Sequence, residues 1–352
     1  MSVPWSNLGA SGLKVSQYII GCMQYGSKEW APWVEDDEEK IFKILKKAYD
    51  SGIRTFDTAD VYSNGLSEIL VGKFLEKYKI KRDKVVIMTK VFFPVDDDHG
   101  PGFGRGGPHE WQGVDMHNCK GLSRSRIIQA AKDSVRRLGT YIDIYQIHRY
   151  DENVSGEEVM KALNYVVEQG YTRYIGASSM KAVQFAELQF IAEKNGWFKF
   201  INMQGRYSLL EREDEHEMNY FCNKSGVGLT PYFALSAGRL ARPLQKDLSN
   251  MTIRESTSTR TIKPLSLLDK DTEDAADVEV ILRVEELAKK KDTKMVCIAL
   301  AWLVSKGAHP IVGIGSEDRI DDLVESAKVT LTEEEIKFLE EPYKPKLRVY
   351  LG

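Results

Sequence analysis

Several features that would narrow a function are missing from this sequence, and each absence excludes something. Cysteines are few: Cys22, Cys119, Cys222 and Cys297 stand far apart, without paired metal-ligand spacing. They read as reduced thiols of an intracellular protein rather than as a disulfide or zinc framework. No run of about 18 apolar residues occurs, which excludes a membrane-spanning helix. Met1–Val15 has neither a basic start nor an apolar stretch, so no signal peptide or anchor is expected and the cytoplasm is the default location. Charge of one sign is not in excess either. Lys and Arg total 49 against 52 Asp and Glu, a net of -3, which gives no electrostatic basis for binding nucleic acid or an anionic membrane.

What is present suits a large core. Apolar residues make up 42% and charged residues 29% of the 352, and α/β barrels of more than about 250 residues commonly form one domain. Leu8–Ser16, with Ser11-Gly12 between short apolar stretches, predicts a small hairpin. Short apolar runs then follow at Tyr18–Gly21, Thr55–Ala59, Val85–Val91, Ile142–His148, Tyr174–Ser178, Phe200–Gln204, Gly228–Phe233 and Pro310–Gly315. Amphipathic helical patterns separate them, at Glu38–Ser51, Ser67–Tyr78, Ser123–Leu138, Gly156–Gln169, Val183–Asn195, Asp214–Lys224 and Val278–Lys290, with an extra one at Lys294–Ser305. Alternation of this kind implies parallel strands, because parallel neighbours need a crossover. Eight units predict an α/β fold of the (β/α)8 TIM-barrel class, one domain over residues 1–352. The turn after the first run, Gly21-Cys-Met-Gln-Tyr-Gly26, lacks the glycine spacing of a doubly wound dinucleotide fold. Two long connections, 94–122 and 237–277, are expected at the C-terminal face, where barrels build active sites.

Four ionisable residues fall at or just past consecutive strand ends: Asp57, Tyr62, Lys90 and His148. Singly each has an ordinary reading: a turn cap, packing, a solvated lysine, a structural histidine. Together they form a proton donor beside an oxyanion site. An ammonium is expected to lower the tyrosine's pKa from about 10 while the aspartate offsets the ammonium's burial cost. The histidine can donate to a carbonyl oxygen. Carbonyl reduction by hydride needs those parts.

Here the chain resembles the aldo-keto reductases, and among them the fungal aryl-alcohol-dehydrogenase-like members. The resemblance runs from Leu8–Val15 through Phe56–Tyr62, Met88–Lys90, Gln146–Arg149 and Arg173–Ser179 to the last strand. It implies that Asp57, Tyr62, Lys90 and His148 are the catalytic tetrad. It also implies that NADPH (NADP+) lies extended across the barrel mouth, without a Rossmann fold. Gly21, Cys22, Met23 and Asp57 would border it. Ser178, Ser179 and Gln204 would face the carboxamide, although Ser179 stands where many members carry Asn. Tyr232 would stack on the nicotinamide beside Phe233. Leu235, Ala237, Gly238 and Arg239 would line the pyrophosphate, where backbone donors and a cation suit phosphate. Gly315, Ser316 and Arg319 would meet the 2′-phosphate at a helix N-terminus. Many relatives carry a basic residue at Gly315, and Leu323 replaces an Asn that commonly touches adenine.

Met23, Tyr25, Tyr62, Phe92, His148 and Arg149 are the candidate substrate contacts. Phe93 sits with them next to the catalytic strand ends, and Trp30, Trp33 and Trp111 lie in loops placed to close over the mouth, giving a pocket for aldehydes or ketones with apolar groups. Arg149 could recognise an anionic substrate or pair with Asp151. Gly102–Gly107 and the histidines His99, His109 and His117 read as loop rather than as phosphate or metal sites; no metal is expected. Thr330–Glu335 reads as a capped terminal helix. The function implied is NADPH-dependent reduction of a small carbonyl compound, with a monomer expected. Two other readings stand beside it: a cofactor-binding redox sensor with little turnover, and a Schiff-base lyase or isomerase with Lys90 as nucleophile.

Overall fold

The computed structural model describes residues 2–104, 116–244 and 273–347. An antiparallel hairpin comes first, β1 (Trp5–Asn7) with β2 (Lys14–Ser16). It begins three residues before the predicted segment, because Leu8 turns inward into the floor of the barrel and starts the loop. Gly9 is held in that loop at φ +57, and an added Cβ would lie 2.2 Å from the Gly226 carbonyl.

Eight parallel strands follow: β3 (Ile19–Gly21), β4 (Thr55–Asp57), β5 (Val86–Val91), β6 (Ile142–Ile147), β7 (Thr172–Ser178), β8 (Phe200–Gln204), β9 (Gly228–Leu229) and β10 (Ile311–Gly313). They pair in the order β10-β3-β4-β5-β6-β7-β8-β9. The remaining seam closes through a parallel bridge from Leu229 to Ala308, with His309 N donating to Leu229 O at 2.8 Å and Ile311 N to Pro231 O at 2.9 Å. The (β/α)8 class is thus observed. β9 is shorter than the predicted Gly228–Phe233, since the chain leaves the sheet after Leu229 and returns in a single bridge, Arg206 to Tyr232.

The helices pack outside. α1 (Glu38–Asp50) is capped by Asp37, whose side chain accepts from Lys40 N, and buries Ile41, Phe42, Ile44, Leu45 and Ala48 at helical spacing. α2 (Leu66–Lys77), α3 (Arg124–Leu138), α4 (Gly156–Glu168) and α5 (Ala182–Asn195) continue the ring within a residue or two of expectation. α6 (Met218–Ser225) starts four residues later than predicted. Tyr343 holds Glu213 and Arg212 holds Glu215 and Glu340, keeping 213–215 in a 3-10 turn. α7 (Glu273–Lys290) and the extra α8 (Met295–Ser305) precede β10, and α9 (Asp318–Ser326) follows it. Thr332 caps α10 (Glu333–Glu340) in a reciprocal box with Glu335.

The main core lies between strands and helices, and a smaller cluster of Leu8, Val15, Ile19, Val86, Met88, Ile144 and Ile311 fills the barrel floor. Among the described residues no helix is long and apolar enough to cross a membrane, and no acidic, His or Cys group could hold a metal. Trp111, His109, Gly107 and most of 237–277 lie outside the described residues.

Candidate active site

Strand register decides which side chains meet. Asp57 ends β4 beside Gly21, Lys90 lies beside Gln146, and His148 follows β6 with its N–H on Val91 O at 2.9 Å. After β4 the chain folds back on β5, as Thr58 N reaches Met88 O and Asp60 N reaches Lys90 O. Ser63, Asn64 and Gly65 are all left-handed, at φ 49, 52 and 88, a tight turn that sets Tyr62 over the strand ends. Gly26 permits the approach, because a Cβ there would sit 2.1 Å from Ser63 Oγ.

The Lys90 ammonium is fully buried and its three protons are all directed: to Asp57 Oδ2 at 2.6 Å, to Thr58 O at 2.7 Å and to Tyr62 Oη at 3.3 Å. Because Lys90 donates to the phenol oxygen, Tyr62 keeps its own proton for another acceptor. None of the described residues takes it. The ring of His148 stands edge-on to Tyr62, centroids 6.0 Å apart. The four predicted residues therefore converge at one rim.

Burial sets their protonation. It would lower the Lys90 pKa, but the Asp57 carboxylate, with the hydrogen bonds to Asp57 and Tyr62, outweighs it and holds the ammonium above its ordinary value. For Tyr62 the expected lowering by Lys90 is real yet smaller than the effect of burial, so its pKa lies above 10.0. The group is a neutral phenol. Burial, with Arg149 and Lys90 nearby, pushes His148 well below 6.5. Its Nδ1 is buried with no partner among the described residues.

Beside the tetrad, Ser178 Oγ donates to Gln204 O at 3.0 Å, and Ser179, at φ 51, sets its Oγ 3.3 Å from Tyr232 Oη. Tyr232 and Phe233 are half-buried, with Phe233 left-handed at φ 64 and the Arg206 guanidinium 4.1 Å over its ring. Ser236, Ala237 and Gly238 follow at φ 49, 58 and 97. The left-handed backbone is costly at Ser236 and Ala237 but not at Gly238, and the loop is closed on itself by Ser236 N on Phe233 O at 2.8 Å and Gly238 N on Leu235 O at 2.9 Å. Beyond them a cavity of about 490 Å³ is lined by Leu235, Gly238 and Arg242, by Lys289, Lys294 and Met295 of α7 and α8, and by Gly313, Arg319 and Leu323. Arg239 is buried beside it, whereas Gly315 and Ser316 lie at the edge of β10 and do not line it. Sequence reasoning missed Arg242, Lys289 and Lys294, since nothing local in α7 or α8 shows that they pack against the turn after β10. The polar groups of Ser178, Gln204 and Tyr232, the strained loop, and this cavity, where Arg242, Lys289, Lys294 and Arg319 stand among Glu285, Asp318 and Asp322, fit the parts of an extended dinucleotide.

Four of the expected contacts have other partners in the fold. Tyr25 is buried and its hydroxyl donates to Ile314 O at 2.7 Å, so it packs beneath the site. Cys22 points into the core, donates to Ile20 O and is held well above the ordinary thiol pKa by burial. Gly21 is needed for packing, since a Cβ would meet Ile311 Cγ2 at 2.9 Å. Phe92 also packs on the core and turns its edge to Phe93, the centroids 5.2 Å apart. Met23, Trp30, Trp33 and Phe93 do reach the mouth, in one cluster with Tyr62. Phe93 lies edge-on to His148 at 5.1 Å and under the Arg149 guanidinium at 5.3 Å. Arg149 Nη1 donates to His148 O at 2.7 Å, while Asp151 spends its carboxylate on the N–H groups of Leu122 and Asn153.

Known proteins share this arrangement's sequence. The profile of the aldo/keto reductase family matches residues 18–344. A Saccharomyces cerevisiae protein named "Putative aryl-alcohol dehydrogenase" is 52% identical over 340 residues, 96% of each chain. Versiconal hemiacetal acetate reductase of Aspergillus parasiticus is 50% identical over 343 residues, 97% of each chain. An aldo-keto reductase of Metarhizium robertsii is 46% identical over 349 residues, 97% of this chain and 92% of its own. With the profile spanning the barrel and near-complete relatives at half identity, this chain belongs to the aldo/keto reductase family of oxidoreductases.

Proposed function

We propose that the protein reduces an aldehyde or ketone to the alcohol with NADPH, Tyr62 giving the proton. The observation that carries this reading is the Lys90 ammonium, which spends its protons on Asp57, Thr58 O and the Tyr62 oxygen. That arrangement leaves the phenol proton for a substrate and places a cation where a phenolate would form. A bound nicotinamide cofactor supplies the hydride. Ser178, Gln204 and Tyr232 would hold its amide end, Ala237 and Gly238 its phosphates, and Arg242, Lys294 and Arg319 the 2′-phosphate. His148, neutral, donates from Nε2 to the carbonyl oxygen and orients it. As charge grows on that oxygen, Tyr62 protonates it, and Lys90, kept charged by Asp57, stabilises the phenolate left behind. Trp30, Trp33 and Phe93 give an apolar wall suited to aryl or alkyl carbonyls.

The Schiff-base alternative meets an obstacle in the same geometry. A lysine nucleophile needs a lowered pKa and access, whereas Lys90 is sealed and held above its ordinary value. A panel of aldehydes, ketones and quinones, assayed with NADPH and with NADH, tests the proposal. Carbonyl-dependent oxidation of NADPH is expected. Tight cofactor binding with no turnover across the panel would overturn it in favour of a redox sensor.

A further inference from the structure

A chain of buried amides lies behind the tetrad, and none of its inner members touches the mouth. Asp57 Oδ1 accepts from Gln146 Nε2 at 3.1 Å and from Gln204 Nε2 at 2.9 Å. Gln146 Oε1 in turn accepts from Gln204 Nε2 at 3.1 Å and from Asn202 Nδ2 at 2.9 Å, and Asn202 Nδ2 also donates to Thr230 Oγ1 at 2.8 Å. Gln146 and Asn202 are fully buried. A methyl at Gly176 would land 1.9 Å from Asn202 Oδ1 and 3.1 Å from Gln146 Cγ, so β7 leaves room for these amides by having no side chain there.

The sense of this chain is not free. Ionised Asp57 can accept only, so Gln146 must present Nε2 to it and turn Oε1 away. That Oε1 captures the second proton of Gln204 Nε2, while the first goes to Asp57. Both donors of Gln204 are then spent. Its Oε1 is left without a partner among the described residues, and it is not among the occluded unpaired atoms. Gln204 is thereby fixed as an acceptor toward the mouth.

We infer that Gln146 is a positioning residue: it locks the amide of Gln204 with its oxygen outward, so that the site reads the –NH2 of the nicotinamide carboxamide and fixes which way the ring is turned. This rests on the nicotinamide reading above. The same side chain also supplies one of the two neutral donors that steady Asp57 against Lys90. Two jobs therefore meet in one amide, and they can be separated by substitution.

Equilibrium binding tests it, with the full chain titrated by tryptophan fluorescence against NADP+ and against its 3-acetylpyridine analogue, whose acetyl group has no N–H to give. Wild type should bind the analogue at least about tenfold more weakly, the usual worth of one lost hydrogen bond. Gln146→Met releases only the second proton of Gln204 Nε2, Asp57 keeping the first; the amide can then pivot on Asp57 and give that proton to the acetyl oxygen, so the ratio should fall to within about threefold. Gln146→Glu keeps an acceptor for Gln204 but sets a carboxylate against Asp57; it should keep the wild-type ratio and lose at least about tenfold in turnover. The Glu variant also serves if the Met variant does not fold. An unchanged ratio in Gln146→Met, no discrimination by wild type, or full turnover in Gln146→Glu would each overturn the inference alone. A wild type that binds neither dinucleotide overturns the cofactor reading and this inference with it.

Discussion

Asn64 grips Asp96 from both sides, its Nδ2 donating to the Asp96 carbonyl at 2.8 Å and its Oδ1 accepting from the Asp96 N–H at 3.1 Å. The same Nδ2 reaches His99 O at 3.0 Å and Gly100 O at 3.2 Å. Only Ser63 separates Asn64 from Tyr62, so the start of the long connection after β5 is fastened to the segment that carries the phenol. Asn64→Gly keeps the left-handed backbone and removes the clamp; KM for the carbonyl should rise about five- to tenfold, the worth of about 1 kcal/mol. Asn64→Ala adds roughly 1 kcal/mol of backbone strain and should also lower Tm. Steady-state kinetics and thermal melts on the pair check this, and a wild-type KM in the Gly variant would show that the loop holds its place unaided.

Tyr62 and His148 predict an unusual pH profile. Since burial holds the phenol above 10.0 and the imidazole well below 6.5, neither group changes charge in between. The reduction rate, as kcat/KM, should be flat from about pH 6.5 to about pH 9.5, without the acid limb that a titrating imidazole at its ordinary pKa would give. Tyr62→Phe should lower kcat about 10²- to 10⁴-fold while the affinity for NADPH changes little. A rate that follows ionisation near pH 6.5 would mean that His148 titrates at its ordinary value, and a Phe variant with wild-type turnover would remove Tyr62 from its role.

Coenzyme choice should rest on the cations that line the cavity between α7, α8 and the turn after β10. Lys294 is already paired with Asp322 at 2.5 Å and Lys289 with Glu285 at 2.6 Å, so acidic neighbours compete with any phosphate. Lys294→Ala and Arg319→Ala should each raise KM for NADPH about tenfold, as loss of a charge-assisted contact does, and leave KM for NADH nearly unchanged. Equal effects on both coenzymes would mean that neither side chain meets the 2′-phosphate.

The alternation of short apolar runs with helical patterns made the barrel legible, because eight buried parallel strands leave that periodic trace in any chain. Asp57, Tyr62, Lys90 and His148 were legible because each ends or follows a strand, and parallel register alone brings strand ends together. The net direction of the Tyr62 shift was not. It depends on how far Trp30 and the 58–65 turn exclude water, which spacing does not encode. Lys294 and Arg242 were hidden for another reason: they reach the same cavity from elements more than fifty residues apart, through helix packing. Tyr25 and Cys22 follow a strand end as His148 does, yet their side chains turn inward, a matter of the 3-10 turn at Cys22–Gln24.

Stability should fall on the acid side, and His309 supplies a measurable share. It lies buried under the hairpin, its ring 3.3 Å from Ser16 O and 3.4 Å from Ser6 Oγ, and burial lowers its pKa. A base whose folded pKa is below its unfolded value of about 6.5 takes up a proton first in the unfolded chain. Stability is therefore lost as pH drops below about 6.5, at up to about 1.4 kcal/mol per pH unit for each such group, and the buried His148 adds a second. Asp60 acts in the opposite sense: burial raises it to about 7 despite Arg126, so the folded state gains a proton there that the unfolded chain does not. The balance leaves a net acid loss, and His309→Gln should flatten it by about one proton's slope. Urea unfolding of wild type and variant at several points between about pH 7.5 and about pH 5 reads the difference directly. Parallel slopes would mean that the ring takes up its proton as readily in the fold as in the unfolded chain, so that burial under the hairpin does not hold it neutral.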